Sequence, residues 1–457
     1  MPAESGRHLP VLIGGGQTTD RPDDPTAGRE PLLLMEEAAR RAAEDAGGGA
    51  ALLAAVDTVA VPTVVCHDYG DAAALLAERL GCPGARRLNT TLGGNTPQAL
   101  VNHLADEIAA GRSTVALIAG AEAWHTARAL GRAGRRIPWT PARAEDAPRW
   151  GDGRPGSTEL EIRHGVAQPI TTYPLFENAF RAARGLGLAA HRRELAEFAA
   201  RSAALAAQNP HAWFRDGKSA EELGAVTAEN RMIGFPYPKF MNAIIDVNQG
   251  AAVLLAADHA ARRLGIAADR WVYPWAGVDV IEHWYLLDRG DYHSLPGVQR
   301  AAAELLETTG LTVDRLVHLD LYSCFPIAPR LTAAMLGIAP GDPRPLTVTG
   351  GHRRPGRAAP CVAPHLRPDA RQRLAPDQAC ARHLRRCAAA ARLAARRGRC
   401  APGTGRCPAP PRRRGRGDGA RQHRDLHDHA RPRRSAGARD GHRPTRRRQP
   451  IRGRPPP

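Results

Sequence analysis

Two short polar turns, each set between a strand-like run and a helical run, carry the residues best suited to chemistry. The first is Asn89-Thr-Thr-Leu-Gly-Gly-Asn-Thr96, which follows Leu88 and leads into a helix read at Pro97–Ala110. The second is Leu321-Tyr-Ser-Cys-Phe325, which follows Leu316–Asp320 and leads into a helix at Ala328–Leu336. A turn at a helix start aims free backbone N–H groups, and the positive end of the helix dipole, at whatever fills the space before it. Two such turns facing each other would gather hydroxyl, amide and thiol groups at one site suited to an anion or an oxyanion. Cys324 in the second turn is either a nucleophile or a small buried apolar residue. His67, His103 and His125 share no metal-ligand spacing, so no metal site is expected.

The elements that must position these turns alternate between short apolar runs and Ala/Leu-rich helical runs, the pattern of an α/β protein. Leu9–Gly14 reads as a buried strand breaking into a glycine turn, Pro31–Ala46 as a helix with an apolar face, and Val56–Val61 as a strand. Gly70–Leu80 is a further helix, and Thr114–Ala119 is a wholly apolar strand ahead of Gly120-Ala-Glu122. From His125 to Tyr237 the pattern loosens into Pro, Trp and Arg around a helix pair at Leu175–Gln208, as binding loops over one face do. Regular structure resumes at Phe240–Ala257. Strands are expected at Trp271–Ala276, Leu316–Asp320 and Leu346–Thr349, with a helix at Gly297–Thr309.

Composition breaks sharply after Gly351. Residues 352–457 hold 30 Arg, 6 Asp and no Lys or Glu, a net charge of +24, so the whole chain's +18 leaves about −6 on the first 351 residues. All 21 aromatic residues lie before the break. The isoelectric point near 10.6 therefore describes the tail and not the body. The body is long enough for one large or two ordinary domains. Its three cysteines, Cys66, Cys82 and Cys324, are too scattered for a disulfide framework, which points to a reducing cytoplasm. The start of the chain lacks the apolar core of a signal peptide, and no run approaches the length of a membrane span.

Several segments, in order, give the chain a resemblance to the thiolase superfamily, in its sterol-carrier-protein-like and thiolase-like type 1 branch. They are Leu92-Gly-Gly-Asn-Thr-Pro-Gln-Ala99, Ala119-Gly-Ala-Glu122 and Asn230-Arg-Met-Ile-Gly-Phe-Pro-Tyr-Pro-Lys239. Asp246-Val-Asn-Gln-Gly-Ala-Ala252, Leu321-Tyr-Ser-Cys-Phe-Pro326 and Thr347-Val-Thr-Gly-Gly351 follow. The resemblance spans residues 9–351. It implies two βαβαβαββ halves in five layers, with 1–124 and 240–260 as the first half, 125–239 as an inserted CoA-binding loop domain, and 261–351 as an incomplete second half. It also implies acyl-CoA as the partner, acyl transfer in lipid metabolism as the activity, and no cofactor beyond coenzyme A as a substrate. A homo-oligomer or a partner subunit is expected, and no membrane.

Acyl transfer of the thiolase kind needs a thiolate, a base to activate it, and donors for the thioester oxyanion. Aligning Gln98-Ala99 with the family's pattern puts Gly93 at the position of the nucleophilic cysteine. The nearby polar groups are Thr91, Asn95 and Thr96, and the loop reads first as a glycine turn with a helix cap. In the second turn Tyr322 stands where the family places an oxyanion donor. Cys324 reads first as a core residue and second as a catalytic one. The candidate catalytic set is therefore Cys324, Tyr322 and Asn95. Gly93, Gly94, Gly350 and Gly351 are the candidate loops around acyl-CoA. His352 follows the second glycine pair too closely to stand for the family's activating histidine. Standard thiolysis is not expected. Arg residues of 125–240 either grip CoA phosphates or form a solvated helix face.

Three readings compete for residues 352–457. One is a disordered Arg-rich arm that binds nucleic acid or another polyanion. The second is a zinc module, which the spacing of Cys361, Cys380, Cys387, Cys400 and Cys407 does not support. The third, and the leading one, is a shifted reading frame. Back-translating Gln422–Arg431 and sliding one base permits Glu-Thr-Tyr-Thr-x-Thr-His, which resembles the C-terminal β domain of thiolase-like type 1 proteins. On any of these readings the segment lacks the residues for a packed core and is expected to be disordered. The alternative functions are a non-catalytic acyl-CoA binder and a polyanion binder acting through the tail.

Overall fold

Glycines decide how the first helix meets the sheet. In the computed structural model, which describes residues 8–143 and 147–350, strand β1 (Pro10–Thr19) continues through Gly14 and Gly16, with a one-residue irregularity between Leu12 and Gly14, and does not turn there. Helix α1 (Pro31–Ala46) lies across this strand so closely that a methyl group on Gly14 would overlap the Ala42 carbonyl. One on Gly16 would overlap that of Ala38. The glycines are there for close packing, and the expected glycine turn is corrected to a continuous strand. Buried Leu32, Leu34, Met35, Ala38, Ala39 and Ala42 form the helix face that uses this space.

The remaining elements of the first part are α2 (Gly49–Ala54), β2 (Thr58–Val61), α3 (Ala72–Leu80) and β3 (Arg86–Thr90). They continue with α4 (Thr96–Ala109), β4 (Val115–Ala123), α5 (Trp124–Arg132) and β5 (Arg149–Trp150). Next come α6 (Glu159–Arg163), α7 (Pro169–Ala183), α8 (Leu188–Gln208) and α9 (Ala220–Gly224). A two-stranded ribbon, β6 (Met232–Gly234) with β7 (Tyr237–Pro238), precedes β8 (Asn248–Ala257). One six-stranded sheet has the order β1-β8-β4-β2-β3-β5. The pairs β2–β4, β2–β3 and β3–β5 are parallel, while β8 runs antiparallel between β1 and β4. Every residue of β4 and β8 is buried, as expected of central strands covered on both faces.

After β8 come α10 (Asp258–Arg263), α11 (Pro296–Thr309) and α12 (Ile327–Met335). The three strands expected in this part are corrected. Trp271–Ala276 makes only an isolated bridge, Val272 to Leu12, with N–O distances of 2.8 and 2.9 Å. Leu316–Asp320 has no regular structure and Leu346–Thr349 is mostly bends; Leu321 N–H donates to the Leu346 carbonyl at 2.8 Å, but neither segment joins a sheet. A strand is defined by a paired neighbour, and apolar alternation cannot supply one. Val317 and Ile281 stay 73% and 71% exposed, and α11 buries no residue fully. Three apolar clusters order the described residues: one under the sheet and α1–α4, one joining α7, α8 and β7 to α12, and a small one in which Leu319 packs with Ala333 of α12 and Ile338.

Residues 352–457, expected to be disordered, lie outside the described residues. No helix among the described residues is long and apolar enough to cross a membrane.

Candidate active site

The two turns meet. Gly93 and Gly94 precede α4, whose first turn is closed by the Thr96 hydroxyl donating to the Gly93 carbonyl at 2.8 Å. A Cβ on Gly94 would lie 3.6 Å from the Tyr322 hydroxyl oxygen, so the Tyr322 ring sits directly against this loop. Tyr322 itself is 46% exposed and lines a cleft. The structure thus brings together Gly93, Gly94, Asn95 and Tyr322 from the two halves of the chain.

The chemistry available there is limited. Gly93 carries no side chain, and a Cβ at that position would come 2.9 Å from Asn95 Oδ1 and 3.0 Å from Thr96 Cγ2. The Asn95 amide occupies the space a residue-93 side chain would need. Asn95 is exposed and makes no side-chain cap bond to α4. Burial pushes the Cys324 thiol above its ordinary pKa, against the opposing hydrogen bonds that the Tyr173 and Tyr322 hydroxyls donate to it. It is therefore a thiol at neutral pH, and a poor nucleophile. The turn holding it is immobilised by aromatic packing: Phe325 stacks on Tyr173 at 4.5 Å and tilts against Tyr237 at 5.7 Å.

A buried ionic cluster fixes α12, which this turn opens, onto the inserted helices. Glu177 of α7 accepts from Tyr237 Oη at 2.7 Å and pairs with Arg330 of α12 at 2.7 Å and His191 of α8 at 2.8 Å. Arg330 also reaches Glu194, which Arg184 holds at 2.6 Å. Desolvation works to raise the pKa of Glu177, but the Arg330 guanidinium and the two hydrogen bonds outweigh it and hold the carboxyl below its usual range. A carboxylate with so many donors can remain charged in a dry interior. Sequence reading missed this cluster, although Glu177 and Arg330, charged residues amid apolar helical runs, were its signals.

Gly350 lies elsewhere. Its φ is +89° and its Cβ would come 2.5 Å from the backbone nitrogen of Ala206, so it packs on α8, and Asn209 Nδ2 donates to the neighbouring Thr349 carbonyl at 3.3 Å. Gly351 and His352 lie outside the described residues. The histidines stand apart: His67 bonds the Thr140 carbonyl at 2.7 Å, His103 stacks on Trp150 at 5.0 Å, and His125 meets Trp213 at 5.1 Å. Among the described residues no three His, Cys, Asp or Glu side chains are grouped to hold a metal ion.

Other family segments act as locks. Asn230 donates to the carbonyls of Glu222, Leu223 and Ala225 and accepts from Phe240 N–H at 2.8 Å. Asn248 exchanges two bonds with Thr126, at 3.1 and 2.8 Å. Glu122 accepts from Val65 N–H at 2.6 Å and Cys66 N–H at 2.9 Å, which ties down the loop after β2.

Two cavities reach neighbours of the Gly93–Gly94 loop, Leu92 in one and Tyr322 in the other. The first, about 470 Å³, opens at the carboxyl ends of β2 and β3, where Leu92, Thr91 and Asn89 line it. The second, about 460 Å³, lies between α7, α12 and the 283–295 segment, with Tyr322, Phe176, Trp284 and Leu331 in its walls. They share a partition: Arg154 lines the first and stacks at 4.1 Å over Trp284, which lines the second. The glycine-rich turn Gly151–Gly156, directly after β5, builds this partition and was overlooked in the sequence.

Neither the known family models nor the curated proteins contain a match to this chain. Solved structures do match. A monomeric SCP2-thiolase-like protein type 1 from Mycobacterium smegmatis is 34% identical, over 77% of this chain and 68% of that one, with a TM-score of 0.64. The Ltp2–ChsH2(DUF35) aldolase matches at 18% identity, over 75% of this chain and 84% of that one, with a TM-score of 0.54. The dimeric peroxisomal thiolase of Saccharomyces cerevisiae matches at 16%, over 82% and 93%, with a TM-score of 0.53. The last two share the fold alone. The identity and coverage of the first, together with the meeting of the two turns, place this chain in the thiolase superfamily, in its SCP2-thiolase-like branch.

Proposed function

We propose that this protein binds acyl-CoA with the thioester held between the Gly93–Gly94 loop and Tyr322, and that it does so without forming a covalent acyl-enzyme. The observation that carries this reading is the contact of Gly94 with Tyr322 between two cavities, at a position where no nucleophilic sulfur is present. The second cavity, apolar and bordered by the inserted helices, suits the pantetheine arm. Tyr322 then turns the hydroxyl proton it gives to the Cys324 sulfur toward the thioester oxygen, helped by the N-terminal dipole of α4. In that role Tyr322 and Asn95 orient a bound thioester and do not cleave it.

A second reading, acyl transfer by the family's covalent route, is favoured by one observation: two tyrosine hydroxyls hydrogen-bond the Cys324 sulfur beside the same loop. Against it stands the elevated pKa of that thiol. The two are separated by titrating acetyl-CoA calorimetrically and measuring intact mass after incubation. Saturable binding with no added 42 Da species supports the first reading, where 42 Da is roughly the mass of one acetyl group replacing a proton on the attacked sulfur. An adduct that maps to Cys324 establishes the second. No binding rejects both.

A further inference from the structure

The first cavity is not a general apolar slot. It opens at the carboxyl ends of two parallel strands, the place where open α/β sheets take ligands, and its firmly held walls mix apolar groups with polar ones such as Asp68, Asn89, Thr91 and Arg149. Glu122 pins one wall through Val65 N–H and Cys66 N–H. Opposite, the two-residue strand β5 pairs Arg149 with Asn89 and Trp150 with Thr90, and Thr91 N–H donates to the Trp150 carbonyl at 2.9 Å. Backbone pairing thereby places the Arg149 side chain on the cavity at the foot of the Gly93–Gly94 loop.

The charges there are not all matched. Arg154 is consumed by Asp152, with contacts of 2.6 to 3.1 Å, and by its stack on Trp284. Asp68 accepts Gly70 N–H at 2.9 Å. Among the described residues Arg149 has no carboxylate partner; its bond there is to the Thr63 hydroxyl at 3.3 Å. A guanidinium with four of its five N–H donors unspent on described residues, at the wall of a preformed cavity, is suited to a carboxylate, which it can bind through two parallel bonds.

We propose that this cavity is the acyl subsite and that Arg149 selects acyl groups ending in a carboxylate over plain alkyl chains of the same length. The inference rests on the acyl-CoA reading above, which puts pantetheine in the apolar cavity and leaves this one for the acyl group. Thr63 orients the guanidinium, and the turn after β5 closes one side of the chamber with Asp152, Gly153 and Arg154.

The test is calorimetric titration of the full chain with succinyl-CoA and butyryl-CoA, which have equal acyl carbon counts. The expected result is a preference of roughly tenfold or more for succinyl-CoA, as one charge-assisted bidentate contact supplies. In Arg149→Gln the ratio falls to about one, and in Arg149→Lys it is intermediate because the point charge remains without the fork. Equal affinities in the wild-type protein overturn the proposal while leaving the acyl-CoA reading intact. So does a preference that survives in Arg149→Gln. If neither thioester binds, the acyl-CoA reading fails and takes this one with it.

Discussion

Replacing Glu177 with alanine tests whether the buried ionic cluster holds the Tyr322–Phe325 turn in place. Glu177 is fully buried and takes three donors, from Arg330, His191 and Tyr237. Alanine leaves the Tyr237 hydroxyl and one arm of Arg330 without acceptors, while Arg330 keeps Glu194. Breaking a buried pair from one side costs about 3–5 kcal/mol. The melting temperature should fall by on the order of 5–10 °C. Scanning calorimetry reads the shift, and the rate of alkylation of Cys324 reads the turn, because the turn that leads into α12 carries Phe325 and its stack with Tyr173. Glu177→Met with Arg330→Met should recover at least about 1 kcal/mol relative to the sum of the single changes, since the orphaned charge is gone. A melt within a degree or so of wild type in Glu177→Ala, with Cys324 still protected, would refute the idea that this cluster positions the site.

The same carboxyl sets an acid dependence. Its pKa is lowered in the fold, so its stabilising share is complete above the unfolded value of about 4.3 and drains away as pH falls through the lower folded value. Melting curves of the wild-type protein and Glu177→Ala, separated at pH 7, should converge below about pH 4. Gly16→Val should cost at least about 3 kcal/mol or abolish soluble expression, because its Cβ would overlap the Ala38 carbonyl; a soluble, wild-type-like melt would contradict the packing described. Gly93→Cys puts a thiol at the start of α4, where thiolates are favoured. A disulfide reagent at pH 7 should label it before Cys66, Cys82 and Cys324, as peptide mass mapping can establish.

What was legible in the sequence were the features written locally. Helix α1 matches its expected span because an apolar face and a leading proline fall within its sixteen residues and a glycine, Gly47, follows directly. The two turn-helix units were visible for the same reason, although only the first keeps its strand, β3, and their approach at Gly94 and Tyr322 agrees with the family resemblance that their motifs carried. What escaped reading depends on partners far along the chain. Trp271–Ala276, Leu316–Asp320 and Leu346–Thr349 have strand-like residues, yet pairing is non-local and none of them finds a sheet. Gly14 and Gly16 look like a turn until α1 is laid across them. The cluster of Glu177, His191, Tyr237 and Arg330 spans more than 150 positions, and no spacing rule joins such residues. Gly350 belongs to a Thr-Gly-Gly motif that suggested a ligand loop, whereas its positive φ and its contact with Ala206 give it a packing role.

The account stands or falls on whether a thioester occupies the gap between the glycine loop and Tyr322. Gly94→Leu puts a side chain into that gap, where a Cβ alone would already sit 3.6 Å from the tyrosine hydroxyl, at an exposed position whose backbone any residue can adopt. Titration calorimetry with acetyl-CoA should give saturable binding to the wild-type chain and at least roughly tenfold weaker binding to Gly94→Leu at an unchanged melting temperature. Equal affinity in the two proteins would mean that acyl-CoA, if bound at all, sits somewhere else.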